Sequence, residues 1–115
     1  MNDARFPWLL LVPERPGAVE LIDLAPADQH QLMNEIRMVS IALRELTRPE
    51  KLNVAAIGNI VRQLHVHVIA RNSHDAAWPG PVWGTALAPP YELRIAVQLC
   101  HDLRAALRVG NPPSQ

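Results

Sequence analysis

The run Trp8-Leu9-Leu10-Leu11-Val12 is apolar without interruption and stops at Pro13, with Pro16-Gly17 just beyond. An unbroken apolar run of this length, closed by a proline and a turn pair, predicts a strand buried on both faces. Val19 to Leu24 is expected to add a short extended piece. At Leu24-Ala25-Pro26-Ala27-Asp28 the pattern changes, since Pro26 suits the first turn of a helix and Asp28 suits the positive end of its dipole. From there to about Leu46, the residues Leu32, Ile36, Val39, Leu43 and Leu46 recur with the 3.6-residue period and form one core-facing stripe. Asn34, Arg37, Ser40 and Arg44 fall largely elsewhere, with Met33 and Met38 beside the stripe.

Arg48-Pro49-Glu50 breaks that helix, and Lys51 to Ile57 predicts a second strand closed by Gly58-Asn59. A third strand is expected over residues 63–70, clearest from Leu64 to Ala70. Asn72 to Pro90 holds Pro79, Pro81, Pro89 and Pro90 with Gly80 and Gly84, which disfavours regular structure there. Irregular segments of this length are often functional, and Trp78 and Trp83 within it are costly to leave in water. A terminal helix over about residues 91–108 carries Ala96, Leu99, Leu103 and Leu107 on one face, with Gly110 as its stop. Strand, helix, strands and helix in this order predict an α+β domain with a mainly antiparallel sheet.

Length and composition narrow this further. At 115 residues the chain has room for one core, so a single domain over residues 1–115 is expected. Hydrophobic residues at 49% against 19% charged give a globular composition and exclude a disordered or fibrous chain. Eleven basic residues balance eleven acidic ones, so no broad field attracts a nucleic-acid backbone or an anionic membrane, and any phosphate must be held locally. Cys100 is the single cysteine, which excludes an internal disulfide and a cysteine-rich zinc site. Trp8 to Val12 is too short for a signal core or a membrane span, and a soluble cytoplasmic protein is the expectation.

The candidate chemistry lies in Gln63-Leu64-His65-Val66-His67-Val68-Ile69-Ala70. Strand side chains alternate, so Gln63, His65, His67 and Ile69 share one face and Leu64, Val66 and Val68 the other, an apolar face that anchors and a polar face that is presented. The two histidine Cα atoms are then roughly 6.5 to 7 Å apart, close enough to act on one bound group. Neutral imidazole is a good nucleophile and titrates near physiological pH. A His-x-His pair on a strand also fits a solvated sheet face, or half of a zinc site, although closed zinc sites need about four ligands and only Asp75 stands near.

The stretch from Gln63 to Ile69 resembles the signature of the histidine triad family, His-φ-His-φ-His-φ-φ, with Gln63 in place of the first histidine. The resemblance implies that His65, at the middle position, is the nucleophile that takes a nucleotidyl group. It implies that His67, at the third, helps bind phosphate and assists the leaving group. Leu11-Val12-Pro13-Glu14-Arg15-Pro16 resembles the strand and turn that supply a fourth histidine in many members, here replaced by Pro16. Gly58-Asn59-Ile60-Val61-Arg62 resembles the loop whose amide and hydroxyl hold phosphate; Asn59 keeps the amide and Ile60 lacks the hydroxyl. Trp78-Pro79-Gly80 and Trp83-Gly84 resemble the tail of a divergent bacterial branch, and the family's long strand upstream of Trp8 is missing or cut short.

The family implies an antiparallel sheet of about four or five strands flanked by two helices, paired with a second copy as a homodimer. It also implies a nucleotide substrate without a metal or other cofactor. The reaction would be attack of His65 on the α-phosphorus of a dinucleoside polyphosphate, AMP ester or phosphoramidate. Gln63 and Asn59 are the expected substrate-binding residues, Gln63 as a positioning group that carries no proton at neutral pH. The lost histidines leave a second reading open, a nucleotide-binding module with little or no catalysis. Of the remaining residues, His30 and His101 are expected on exposed helix positions, and His74, just beyond the motif strand in the long loop, suits a residue that swings over the site or an ordinary loop position. Arg62 and Arg71 flank the strand and suit bidentate contacts to phosphate or, more commonly for flanking arginines, solvated strand ends, and Cys100 is expected to be a buried structural thiol. Asn53 suits a ribose contact or a solvent-facing position, and the two tryptophans suit a base or a dimer interface.

Overall fold

The strand that carries the histidine motif is flanked on both sides. In the computed structural model, which describes residues 1–85 and 87–110, β3 (Val66–Arg71) lies between β1 (Trp8–Leu11) and β2 (Lys51–Ala55). Both pairings are antiparallel, with Trp8 opposite Ile69 and Leu11 opposite Val66 on one side, and Lys51 opposite Arg71 and Ala55 opposite His67 on the other. Two helices, α1 (Pro26–Thr47) and α2 (Leu93–Gly110), complete the α+β architecture.

The sheet has three strands among the described residues, fewer than the four or five expected. One reason lies at Val19 to Leu24, where the Asp23 carboxylate accepts the backbone amides of Val19 and Glu20 at 3.0 and 2.8 Å. These bonds wind Leu21–Asp23 into a short 3-10 turn instead of an extended piece. The motif strand is also shorter at its start than expected. The β1 pairing ends at Leu11, just before Pro13, which has no amide to donate, and the Leu64 amide bonds instead to the Ala18 carbonyl at 2.9 Å.

Helix α1 opens with Pro26 at its start and closes at Arg48 in the left-handed region, φ 47°, just before Pro49. Its stripe packs on one face of the sheet: Leu32 and Leu43 are buried, and Ile36 and Val39 pack against Val66, Val68 and Ala70 from the rim. Leu46, expected in the stripe, is 40% exposed, whereas Ala42 is buried. Ala42 lies with the half-buried Met38 and Ile41 in a cleft against Ala106 and Leu107 of α2. A second helix covering the flank of the first widens its buried face, and the period of a single helix cannot reveal that. In α2, Leu103 is buried and Ala96, Leu99 and Leu107 are half-buried, as their spacing predicts. Cys100, expected to be buried, is exposed. No helix among the described residues is long and apolar enough to cross a membrane.

Candidate active site

The opposite face of the sheet carries the odd-numbered residues of the motif, and here the structure departs from an open polar surface. Phe6, Trp8, Ile69 and Val82 form a cluster on this face, with Ala77 and Trp83 packed on it. The segment after β3 folds back over the face and covers it as far as His67. His67 is consequently 5% exposed, while His65, one residue before the strand begins, is half-buried.

The two imidazoles lie beside each other, ring centres 5.1 Å apart and tilted by 68°. His65 Nδ1 is 2.7 Å from the backbone carbonyl oxygen of Gln63. A carbonyl only accepts, so Nδ1 must hold the proton, and neutral His65 keeps its lone pair on Nε2. The deeper imidazole, His67, meets the Trp83 ring edge-on at 4.9 Å and takes a hydrogen bond from the Trp8 indole at 2.8 Å. Burial pushes the pKa of His67 below its ordinary value, and the neighbouring His65 adds to this. A neutral imidazole is therefore favoured at this position.

The wall over the site is held by a residue expected at a solvated strand end. Arg71 is only 2% exposed and bonds Asp75 through Nε at 2.7 Å, the Asn53 side-chain oxygen at 2.8 Å and the Gly80 carbonyl at 2.8 Å. Its guanidinium also lies over the Phe6 and Trp78 rings, 5.7 Å from each centre. Asp75 accepts in addition the backbone amides of Asn72, Ala77 and Trp78. Its pKa is lowered to about 2, first by Arg71. Both carboxylate oxygens of Asp75 are thus taken by the protein, and no group of three metal-ligating side chains occurs among the described residues.

Gln63 is half-buried, and its side-chain amide donates to the Arg15 carbonyl at 3.3 Å, tying the motif to the turn after β1. Asn59 stands exposed in the bend after Gly58, whose φ of 66° turns the chain out of β2. Ile60 beside it is 94% exposed. Thus the structure brings His65 and His67 together, connects Gln63 through its backbone to His65, and leaves Asn59 exposed in the loop before the motif, without a side-chain hydrogen bond among the described residues. His30, His74, His101 and Arg62 are exposed. Asn53 bonds Arg71, so its oxygen is not turned to solvent.

A HIT domain family model matches residues 1–74. A histidine triad protein from Bradyrhizobium japonicum has a crystal structure that superposes with a TM-score of 0.91 at 52% identity, over 93% of this chain and 80% of that one. The corresponding values for a histidine triad protein from Sinorhizobium meliloti 1021 are 0.90, 46%, 92% and 78%. For one from Marinobacter aquaeolei VT8 they are 0.90, 40%, 95% and 80%. No match was found among functionally curated proteins. The chain belongs to the histidine triad family.

Within a histidine triad fold, the residues that the motif alone does not reveal are Trp8, Trp83, Arg71 and Asp75. A signal for Arg71 was present, because it has the parity of His65, His67 and Ile69 and so shares their face. Trp8 needed the register, which places it opposite Ile69 and two residues from Leu10, the partner of His67. Trp83 reaches His67 only through the fold of the loop, and nothing in its spacing points there.

Proposed function

We propose that this histidine triad protein is a nucleotide hydrolase or nucleotidyltransferase in which His65 attacks the α-phosphorus of a nucleoside phosphate derivative. The observation that carries this reading is the Gln63 carbonyl at 2.7 Å from His65 Nδ1, because it leaves Nε2 with the lone pair on a half-buried, reachable ring. In the first step the Nε2–phosphorus bond forms and the bond from phosphorus to the leaving group breaks, giving a nucleotidyl-histidine. Water or another acceptor then attacks phosphorus and releases His65. His67 faces the same bound group and assists departure of the leaving group, and Asn59 and Gln63 are the proposed substrate contacts.

The family supports dinucleoside polyphosphates, AMP esters or AMP phosphoramidates as the substrate class, and the route uses no cofactor. The proposed working unit is a cytoplasmic homodimer. Turnover of an AMP ester by the purified protein tests the reading: release of AMP supports it. Tight AMP binding without any turnover would overturn it in favour of a nucleotide-binding module, the alternative that Gln63 and Pro16 favour by removing two histidines from the family's set.

A further inference from the structure

We infer that Trp8 is a positioning residue that locks His67 in the tautomer carrying its proton on Nε2, so that this nitrogen can only donate. An indole N–H donates and never accepts. The Trp8 Nε1–H lies 2.8 Å from His67 Nδ1, between two buried side chains, so Nδ1 must offer a lone pair. Turning the ring over would set a C–H against the indole N–H, and that leaves no alternative placement of equal quality. The neutral ring then has its one proton on Nε2. His65 is held in the opposite sense by the Gln63 carbonyl, with the lone pair on Nε2.

Two adjacent imidazoles of the same residue type are thereby made chemically unlike: one offers a lone pair and the other an N–H. Such a division is what a nucleophile and a hydrogen-bond donor to the leaving group require, and geometry on the strand alone does not produce it. The inference rests on the proposed reaction for its purpose, but the tautomer itself is a property of the free protein. Register is what puts Trp8 there. It stands opposite Ile69, so its side chain rises on the histidine face, and Phe6 and Trp83 meet its ring edge-on at 6.5 and 5.8 Å between centres.

The same bond resists protonation of His67, because an imidazolium has no lone pair for the indole. The titrating groups that bear on His67 are His65 and the Met1 amino group, both of which lower its pKa after burial has done so. Trp8 from β1, Trp83 from the loop and Ala55 from β2 bring no titrating group against it, and Arg71 farther along the face is paired with Asp75.

Long-range proton–nitrogen NMR on the ligand-free, 15N-labelled protein reads the tautomers directly. The expected result at neutral pH is a bare Nδ1 and a protonated Nε2 on His67, and the reverse on His65; a protonated Nδ1 on His67 would overturn the inference without any variant being made. In Trp8→Phe, which keeps an aromatic ring in the cluster, the His67 signals should shift towards a mixture of tautomers. Its pKa should rise by about one unit, the scale of one lost hydrogen bond. Unchanged tautomer and pKa in a folded Trp8→Phe protein would also overturn it. With an AMP ester, Trp8→Phe should lower kcat by roughly tenfold with little change in KM, because the lost function is donation in the transition state. The NMR result is independent of turnover, so a missing His65 adduct would sink the proposed reaction while leaving the Trp8 lock standing, and the converse also holds.

Discussion

Strand parity alone puts His65 and His67 on one face, and the structure keeps them there with ring centres 5.1 Å apart. What parity cannot supply is their difference in burial, because the cover over His67 comes from Trp83, sixteen positions downstream in an irregular segment. The proton positions were equally out of reach, since they depend on which carbonyl and which indole meet each ring. Asn59 is exposed on the loop that leads into the motif. If its amide holds phosphate, Asn59→Ala should weaken nucleotide binding by about 1 to 3 kcal/mol, the cost of a lost hydrogen bond to a charged group. Calorimetry with AMP checks this, and unchanged affinity would reduce Asn59 to a turn residue.

At the scale of elements, the two helices and three strands were legible because each has a clear period or an unbroken apolar run bounded by proline and glycine. The errors occur where polar side chains redirect the backbone, as Asp23 does in the 3-10 turn, or where a second helix changes what is buried, as α2 does for Ala42. The segment after β3 was legible only as irregular. Its order comes from Arg71 and Asp75, a pair with side chains 2% and 7% exposed. Removing one partner leaves a buried charge unmatched, so Asp75→Asn should destabilise the fold by about 3 to 5 kcal/mol in denaturant titration. The pH dependence has a defined sign. The folded-state pKa of Asp75 is about 2 against an ordinary 3.8, so its contribution is fully present above about pH 4 and is lost as pH falls towards 2. That contribution is on the order of 2 kcal/mol. Wild-type stability that stays flat from pH 5 to pH 2 would contradict it.

For the whole molecule, the α+β class and the family were legible from one strand and its neighbours, and the match over residues 1–74 covers both. The strand count was not, because the likeness to the family implied four or five strands where the described residues form three. Assembly is the other molecular-scale expectation. Met38 and Ile41, apolar residues of α1, are half-buried beside α2 and offer no open face to a second copy. The proposed dimer now rests on other residues: Val54 on the edge strand β2 and Ile57, Ile60 and Val61 after it are 48%, 46%, 94% and 63% exposed. Apolar exposure beside an open strand edge invites a second copy. Light scattering at micromolar concentration should give twice the 12.8 kDa of the chain, and a monomeric mass that persists as concentration rises would remove the dimer.

The central claim is that His65 is the nucleophile, and the residue that becomes nucleotidylated tests it most directly. Wild type, His65→Ala and His67→Ala are incubated with an adenylate ester, quenched rapidly, digested and analysed by mass spectrometry. The structure's free Nε2 on His65 predicts a peptide with AMP on His65 in the wild type, no adduct and no turnover in His65→Ala, and slowed turnover with the adduct still present in His67→Ala. An adduct on His67, or normal turnover by His65→Ala, would contradict the assignment.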